Sequence, residues 1–417
     1  MSKRRSNKHQ TSHKDDEFFH FHKFILIFLF LDAFCCFRFN SIKAKKVRII
    51  HFIDKNNYFC TTKYFFMKMK QRIIISKCLE HELENEISKC EPDKLFIITD
   101  ETTNELCLPI IKDYKCLEQT NIIRIKATDT HKTLDTLGYV WKELSDNGAT
   151  RHSCIINLGG GMVTDLGGFA ASTFKRGIAF INIPTTLLAM VDASVGGKTG
   201  INFNGLKNEI GVFNNANAVI INTEFLKTLD KDNICSGYAE MIKHGLISND
   251  NMWVELMNYD ICEPDFNKLQ DMVAASIKVK EDIVNKDPLE TGIRKSLNLG
   301  HTIGHAFEAF SLEKGKPLLH GYAVAFGLIC ELYLSCIKTS FPVEQMRQTV
   351  NYIKENYGTY TFTCKDYDYL VELMKHDKKN TADTINFTLL SEIGNIKINQ
   401  TATKEEISEA LDFFREG

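Results

Sequence analysis

Five side chains in the second half of the chain have the chemistry and the spacing of metal ligands. Glu240 and His244 are four residues apart, as are His301 and His305, and His320 follows further along. Residues four apart lie on one face of a helix, where two such groups can point at one cation. The chain has no HExxH sequence, so it lacks the usual zinc peptidase motif. One Glu and two His with an open position would suit a catalytic Zn²⁺, but these residues alone do not select among the five.

Three consecutive glycines, Gly159–Gly161, end an apolar strand pattern and are followed at once by a helical pattern. Glycines let a backbone approach a ligand closely, and the free N–H groups of a helix N-terminus attract phosphate. The match to the GxGxxG fingerprint is imperfect because Thr164 stands at the third glycine position. A tight structural turn is therefore the alternative to a phosphate site.

A second glycine-rich stretch holds lysines. Gly197-Lys198-Thr199 resembles the end of an ATP-binding P-loop, but Asp192 stands where the leading glycine is required, which argues against that loop. Lys207 and Asn208 add a second cation and an amide. This density of Gly, Lys, Asp and Asn in an apolar stretch favours a site for an anionic ligand over solvated surface charges.

The elements that must position these residues change in character along the chain. From residue 71 short apolar strands alternate with helical patterns, including a helix over Leu79–Cys90, which predicts a parallel sheet of βαβ units. After about residue 230 the patterns are long and helical, as over 265–284 and 322–336. We therefore predict an α/β domain over 67–230 and a mainly α-helical domain over 231–417.

The first 66 residues differ from the rest. Residues 1–70 contain no Gly and no Pro, yet they hold 13 of the 29 Phe. The apolar run Phe24–Leu31 is too short to span a membrane, because Asp32 interrupts it and about 20 residues are needed. The bulky residues after it do not suit signal peptide cleavage. We interpret 1–66 as an atypical extension outside the fold, with synthesis starting at Met67 or Met69.

The composition excludes several classes of protein. The chain has 417 residues, of which 44% are hydrophobic and 25% charged, with a formal net charge of -2. Such values exclude a disordered, collagen-like or multi-span membrane protein, and the charge balance argues against a nucleic-acid binder. Thirteen cysteines without a CxxC pair favour the reduced thiols of a cytoplasmic protein over a disulfide framework.

Taken together and in this order, these motifs resemble one family, the 3-dehydroquinate synthases. The resemblance extends from about residue 71 to the C-terminus, and its most specific blocks are 184–208, 237–245, 294–305 and 319–324. It implies an N-terminal Rossmann-like parallel-sheet domain that binds NAD and a C-terminal, mainly α-helical domain for metal and substrate. It also implies a homodimer, with Zn²⁺ or Co²⁺ as the metal and a phosphorylated sugar acid as the substrate.

Carried over residue by residue, the resemblance implies metal ligands at Glu240, His301 and His320, with His305 as a substrate contact. The other implied substrate-pocket residues are Arg176, Asp192, Lys198, Lys207, Asn208, Lys243, Lys280, Arg294 and Asn298. The implied nucleotide contacts are Asp100, Asp129, Lys132, Gly160, Gly161, Met162, Val163, Thr164, Asp165, Thr185, Thr186, Lys198, Lys207, Phe225, Leu226, Lys227 and Thr228. Either Lys378 or Lys379 would complete the pocket.

The implied reaction converts 3-deoxy-D-arabino-heptulosonate 7-phosphate to 3-dehydroquinate and phosphate. NAD⁺ oxidises the C5 hydroxyl, phosphate leaves, the hydride returns, and an aldol step closes the ring. Two residues depart from the family pattern: Tyr322 stands where Glu is common, and Thr164 where Gly is common. Neither removes a group that the reaction requires.

Three rival functions remain open at this stage. A related sugar-phosphate cyclase making an inosose or a valiolone would alter the carboxylate-binding positions, whereas Lys280, Arg294, Asn298 and His305 are all present here. A metal-dependent polyol dehydrogenase would release NADH instead of recycling it. A membrane-tethered binding module would require that the apolar residues 1–66 are translated as part of the protein.

Overall fold

The structure is a computed structural model that describes residues 71–375 and 384–416. The predicted extension over 1–66, both proposed start sites, and Lys378 and Lys379 lie outside the described residues.

A parallel sheet of six strands forms the core of the first half. Within 71–230 the strands are β1 (Ile73–Ile75), β2 (Leu95–Asp100), β3 (Asn121–Ile125), β4 (Cys154–Gly159), β5 (Ala179–Pro184), β6 (Lys198–Phe203), β7 (Leu206–Phe213) and β8 (Ala218–Ile221). The sheet order is β1–β8–β5–β4–β2–β3, and every pairing in it is parallel. Strands β6 and β7 form a separate antiparallel hairpin. The predicted α/β fold with a parallel sheet is confirmed.

Helices connect these strands. They are α1 (Leu79–Cys90), α2 (Glu101–Leu106), α3 (Leu108–Ile111), α4 (Leu134–Asp146) and α5 (Gly161–Thr173). Helix α5 packs tightly on β4, since a Cβ atom at Gly167 would lie 1.9 Å from Oδ1 of Asn157. The amide Nδ2 of Asn157 donates in turn to Oδ1 of Asn182 on β5 at 2.8 Å, which joins two neighbouring strands. The glycine-rich sequence thus serves close helix–sheet packing as well as the turn before it.

The second half is mainly helical. Its helices are α6 (Lys231–Leu246), α7 (Asp250–Met257), α8 (Phe266–Lys286), α9 (His301–Glu313), α10 (His320–Thr339), α11 (Val343–Tyr357), α12 (Tyr367–Lys375) and α13 (Lys404–Glu416). Of the described helices, α10 is long and apolar enough to cross a bilayer, but 72% of its apolar stretch is buried inside the protein. A core helix passes the same test of length and composition.

An antiparallel hairpin of β9 (Asn386–Glu392) and β10 (Asn395–Thr401) interrupts the helices. It is bonded to the start of α9, because the hydroxyl of Thr302 donates to the carbonyl of Asn386 at 3.0 Å. The hydroxyl of Thr388 donates to the carbonyl of Lys295 at 2.9 Å, which fixes the 3₁₀ segment Ile293–Asn298 before α9. This hairpin therefore supports a segment that carries several predicted site residues.

Element boundaries follow the sequence patterns unevenly. Helix α1 has the predicted bounds, whereas β5, β8 and both hairpins were not predicted. The ten described cysteines are all free, in keeping with the absence of a disulfide framework. The domain boundary near residue 230 falls just before α6 and stays a prediction.

Candidate active site

Three of the predicted ligands converge, although each comes from a different helix. Glu240 lies on α6, while His301 and His320 are the first residues of α9 and α10. Oε1 of Glu240 lies 3.3 Å from Nε2 of His301 and 3.5 Å from Nε2 of His320. One ligand atom from each residue lies within 4.8 Å of the other two. One carboxylate oxygen and two imidazole nitrogens form the donor set expected of a three-residue metal site with an open position.

The carboxylate of Glu240 is buried among charged and imidazole groups instead of receiving well-aligned hydrogen bonds. Its side chain is fully buried, and neither oxygen has a hydrogen-bond partner within the described chain. Burial would raise the pKa of Glu240, but Lys243 and His301 outweigh it and hold the pKa well below its usual value. Lys243 forms an ion pair with this carboxylate and is itself buried. A buried, ionised carboxylate facing two imidazoles fits a divalent cation.

Each histidine of the set is oriented through its second ring nitrogen. Nδ1 of His301 donates to the carbonyl of Leu299 at 3.0 Å, which directs Nε2 toward Glu240. Nδ1 of His320 lies 3.2 Å from Oε2 of Glu308. Burial would lower the pKa of His320, but Glu308 and Glu240 outweigh it and raise the pKa to about 10. A metal-bound histidine normally has such a partner on its other nitrogen, so both residues are held as ligands would be.

The other two histidine candidates lie beside this set. The ring of His305 is 5.3 Å from that of His301 and 5.9 Å from that of His320, so it lies beside both imidazoles. His244 is buried and hydrogen-bonds Ser276 through Nδ1 at 2.7 Å. Burial and then Lys243 lower the pKa of His244 to about 3, which keeps it neutral. The structure thus brings together the three ligands that the family resemblance implies. Ligand atoms of His305, Glu308 and His320, and of Asp192, Glu240 and His244, also lie within 4.8 Å of one another, so the ligand set stays a prediction.

A buried ion pair lies next to the metal set. Lys280 on α8 pairs with the carboxylate of Asp192 and donates to its backbone carbonyl at 2.6 Å. Burial would raise the pKa of Asp192, but Lys280 and Lys243 hold it well below its usual value. Burial lowers the pKa of Lys280 despite its partner. Arg294 is also buried, and its guanidinium donates to the carbonyls of Pro288 at 2.7 Å and Gly196 at 3.3 Å. This region therefore concentrates three cations in a largely buried space.

Glu290 links two of the predicted substrate residues. It forms an ion pair with Lys198 and accepts from Nδ2 of Asn298 at 3.1 Å. Lys198 is the first residue of strand β6, so no helix follows the Gly197-Lys198-Thr199 sequence and a P-loop is excluded. Sequence reasoning missed Glu290, because an isolated acidic residue in a loop carries no signal of its own.

The glycine turn caps a helix at the end of β4. Gly160 is the N-cap of α5, and the hydroxyl of Thr164 donates to the carbonyl of Gly161 at 3.1 Å. Asp165 pairs with Lys132, which also donates to Asn208. Burial raises the pKa of Asp165 despite that lysine. Helix dipole and free N–H groups are thus available to an anion at this turn.

The remaining nucleotide candidates lie at the carboxyl ends of strands. Asp100 ends β2 and accepts from the N–H of Thr103 at 2.7 Å, so it caps α2. Thr185 and Thr186 follow β5, and the 3₁₀ helix Thr223–Thr228 follows β8. Because parallel strands end at one edge, these residues share that edge with the glycine turn, where open α/β sheets bind ligands. The side chains of Phe225 and Leu226 are buried in the core, whereas that of Lys227 is exposed and pairs with Glu224.

Asp129 and Lys207 connect the nucleotide edge to the metal set. The amide of Asn202 donates to Oδ2 of Asp129 at 3.3 Å, and Lys207 lies 3.5 Å from the same carboxylate. Lys207 also donates to Oε1 of Glu308 at 2.6 Å. Glu308 was not predicted, and it joins the two groups of residues through one carboxylate.

Arg176 is not brought into this cluster within one chain. It lies in an exposed turn at the C-terminal end of α5, the end opposite the glycine turn, with φ at 69°. No ion pair joins it to the cluster among the residues that the structure describes. A role in substrate binding would require a second subunit.

Comparison with known proteins identifies the family. A family model described as "3-dehydroquinate synthase N-terminal" matches residues 122–236, and one described as "3-dehydroquinate synthase C-terminal" matches residues 237–380. The chain belongs to the 3-dehydroquinate synthase family. It is 54% identical over 347 residues to the 3-dehydroquinate synthase of Parabacteroides distasonis, covering 83% of this chain and 98% of that protein. It is 38% identical to the enzyme of the same name from Oceanobacillus iheyensis, covering 82% and 95%.

A solved structure shows the same fold at lower identity. A 2-deoxy-scyllo-inosose synthase in complex with carbaglucose-6-phosphate, NAD⁺ and Co²⁺ has a TM-score of 0.72 at 23% identity, covering 83% of this chain and 96% of that one. The resemblance in sequence to the 3-dehydroquinate synthases is much stronger, so the family expected from the motifs is confirmed.

The two departures from the family pattern have local explanations. Tyr322 donates its hydroxyl to Asp232 at 2.9 Å and packs on the ring of Tyr357 at 5.1 Å. Its side chain thus joins the starts of α10 and α6 without replacing a ligand. Thr164 is buried, and its hydroxyl is satisfied inside the first turn of α5.

Proposed function

We propose that this protein is a 3-dehydroquinate synthase that converts 3-deoxy-D-arabino-heptulosonate 7-phosphate to 3-dehydroquinate and phosphate. The observation that carries the proposal is the 54% identity over 98% of a relative bearing that name. The buried metal-ligand set beside Lys280 and Arg294 supports it, because the substrate combines hydroxyls, a carboxylate and a phosphate.

Both cofactors have fitting residues. Glu240, His301 and His320 would hold a Zn²⁺ or Co²⁺ ion, which when bound supplies a Lewis acid to substrate oxygens. The turn Gly160–Asp165 would hold the pyrophosphate of NAD, which when bound supplies a reversible hydride acceptor. The other proposed nucleotide contacts are Asp100, Asp129, Lys132, Thr185, Thr186, Lys198, Lys207, Phe225, Leu226, Lys227 and Thr228.

The basic side chains of the pocket form two groups, one for the carboxylate of the substrate and one for its phosphate. Lys280 and Arg294 would hold the carboxylate, since a guanidinium binds it in a bidentate manner. The groups proposed to hold the phosphate are Lys198, Asn208, Lys243, His305 and Arg176. Asp192 fixes Lys280, and Glu290 orients Lys198 and Asn298, so these donors are preorganised.

Proton transfer needs no dedicated protein base in this proposal. The departing phosphate carries oxygens able to accept the neighbouring proton, and the buried lysines stabilise the charge that develops. The pocket residues hold the flexible intermediate in one conformation, which favours ring closure over release.

Arg176 supports a homodimer in which a second subunit completes the phosphate site, because this side chain is exposed in the single chain. The free cysteines support a cytoplasmic location. Both statements are part of the proposal.

The deciding experiment uses protein expressed from Met67 with Zn²⁺, substoichiometric NAD⁺ and the heptulosonate phosphate. We expect many phosphates released per NAD⁺ with no lasting absorbance at 340 nm. NADH that accumulates mole for mole would indicate a polyol dehydrogenase. Activity only on a heptulose phosphate without the carboxylate would indicate a valiolone cyclase, and activity only on a hexose phosphate would indicate an inosose cyclase.

A matched pair of variants on α8 sharpens this test. Lys280→Met should abolish phosphate release, whereas Lys278→Met should not, because Lys278 is exposed on the same helix. Equal loss in both variants would refute the role of Lys280.

A further inference from the structure

A buried carboxylate on α10 contacts the start of the neighbouring helix α9. Glu331 has no solvent exposure. Its Oε2 accepts from the backbone N–H of Gly300 at 2.7 Å, and its Oε1 accepts from the N–H of Thr302 at 2.9 Å and of Ile303 at 3.2 Å. One side chain thus satisfies three donors at the N-terminus of a helix that begins with a proposed metal ligand.

The usual local cap is missing at this helix. The N-cap residue of α9 is Gly300, which has no side chain to offer and adopts φ of 79°. The first N–H groups of a helix have no partner within the helix, and leaving them buried and unpaired is costly. Glu331 supplies from another helix the acceptor that Ser, Thr, Asp or Asn would otherwise provide.

Close packing makes this contact rigid. A Cβ atom at Gly327 would lie 2.0 Å from the carbonyl oxygen of Gly300, and one at Gly300 would lie 2.8 Å from the side chain of Leu328. The backbone of α10 therefore touches the start of α9 directly, one turn before Glu331. Hydrogen bonds and packing fix the same short segment, residues 300–303.

That segment sets the direction of His301. Its ring is held through Nδ1 by the carbonyl of Leu299, so the position of Nε2 depends on the backbone at the start of α9. The other histidine of the set, His320, begins the same helix that carries Glu331. Glu331 therefore joins the two elements whose relative position determines the spacing of the two imidazoles.

We infer that Glu331 is a positioning residue for the metal site: it fixes His301 relative to His320 and so preorganises the site for a divalent cation. It does not touch the metal or the substrate. This inference rests on the proposed function, because it takes Glu240, His301 and His320 as the ligands.

The test compares Co²⁺ binding to purified apoprotein by titration calorimetry and by the visible d–d absorption of the bound ion. Glu331→Gln keeps the shape of the side chain but replaces one acceptor with a donor that faces backbone N–H groups. We expect Co²⁺ affinity to fall about 10- to 100-fold, the usual effect of removing an outer-shell partner. The d–d spectrum should change, because the ligand geometry changes.

Thr349→Val is the stability control. It removes a buried hydrogen bond to Trp253 that involves neither a proposed ligand nor a hydrogen-bond partner of one, so the melting temperature should fall while Co²⁺ affinity and spectrum stay as in the wild type. If Glu331→Gln is not recovered folded, Glu331→Asp serves instead: it keeps the charge but withdraws it by one methylene, and the same loss of affinity is expected.

The outcomes separate the two proposals. Wild-type protein that binds Co²⁺, with a Glu331 variant of equal affinity and identical spectrum, overturns the positioning role alone. Wild-type protein that binds no Co²⁺ overturns both the ligand set and this inference. Weaker binding with an altered spectrum in the Glu331 variant, absent in Thr349→Val, supports both.

Discussion

The Nζ atom of Lys207 lies 2.6 Å from Oε1 of Glu308, although the two residues are 101 positions apart. Lys207 belongs to hairpin strand β7, whereas Glu308 lies on α9, two turns after His301. The second oxygen of Glu308 lies 3.2 Å from His320. Burial would raise the pKa of Glu308, but His320 and Lys207 hold it well below its usual value. One ionised carboxylate thus links a proposed nucleotide contact to a proposed metal ligand.

Removing the charge of Glu308 should therefore weaken both sites. We expect Glu308→Gln to lower Co²⁺ affinity about tenfold. We also expect it to interact with Lys207→Met in a double-mutant cycle for NAD⁺ binding, with a coupling of about 0.5–3 kcal/mol. Calorimetry measures both quantities. The exposed pair Lys278 and Asp282 is the control and should show no coupling. Additive effects of the Glu308 and Lys207 variants would disprove the link.

The ligand role of His320 predicts a loss of bound metal. His320→Ala should retain no stoichiometric zinc by elemental analysis, and turnover should fall about 1,000-fold, equivalent to about 4 kcal/mol. His152→Ala is the control, because His152 is exposed and lies outside the cluster. A zinc-loaded, fully active His320→Ala protein would remove this residue from the ligand set.

If Arg294 holds the substrate carboxylate, its replacement should lower kcat/KM only for substrates that carry this carboxylate. Arg294→Lys should lower kcat/KM about 10- to 100-fold, because a bidentate, charged contact becomes a single one. The loss should disappear with a substrate analogue that lacks the carboxylate. The exposed Arg347→Lys should change neither value. An equal loss with the analogue would show that Arg294 acts elsewhere.

The carboxylate of Asp287 should make the stability of the loop that carries Arg294 depend on pH. Its carboxylate accepts from the N–H groups of Thr291, Gly292 and Arg294. Burial would raise the pKa of Asp287, but these bonds lower it to about 2. Since the folded pKa is below the unfolded value of about 3.9, this stabilisation is present above pH 4 and is lost toward pH 2.

We expect Asp287→Asn to lower the free energy of unfolding in urea by about 1–2 kcal/mol at pH 7. The difference from wild type should shrink between pH 4 and the lowest pH at which both proteins fold. Asp146→Asn, at an exposed helix position, should show a small difference at every pH. A difference for Asp287→Asn that does not change with pH would contradict the assignment.

The sequence predicted the parallel sheet because apolar strands alternating with helices leave a pattern, whereas the metal ligands came from the family resemblance and stay a prediction. Apolar strands before glycines indicated β4 and the turn at Gly160, and the family blocks indicated Glu240, His301 and His320, which the structure brings close together. The hairpin β6–β7 was not predicted from the sequence. All of β7 is exposed, so no buried face imposes an alternation of apolar and polar residues on this strand.

The acidic residues that orient the site were invisible in the sequence. Glu308 and Glu331 lie at helix positions where a glutamate is most often a solvated surface charge. Their burial results from contacts between α9, α10 and β7 that sequence spacing does not reveal. Glu331 could have been suspected from its place in the apolar stretch of α10, where an unpaired charge would be costly.

The hairpin β9–β10 follows in sequence the segment that it supports, so it is synthesised after that segment. Thr302 emerges from the ribosome 84 residues before Asn386, and Lys295 emerges 93 residues before Thr388. At about 5–20 residues per second, the delay for Thr302 is roughly 4–17 s. The nascent chain therefore carries His301 and His320 without their full support during that interval, and the proposed ligands reach their final arrangement only after the hairpin has been synthesised.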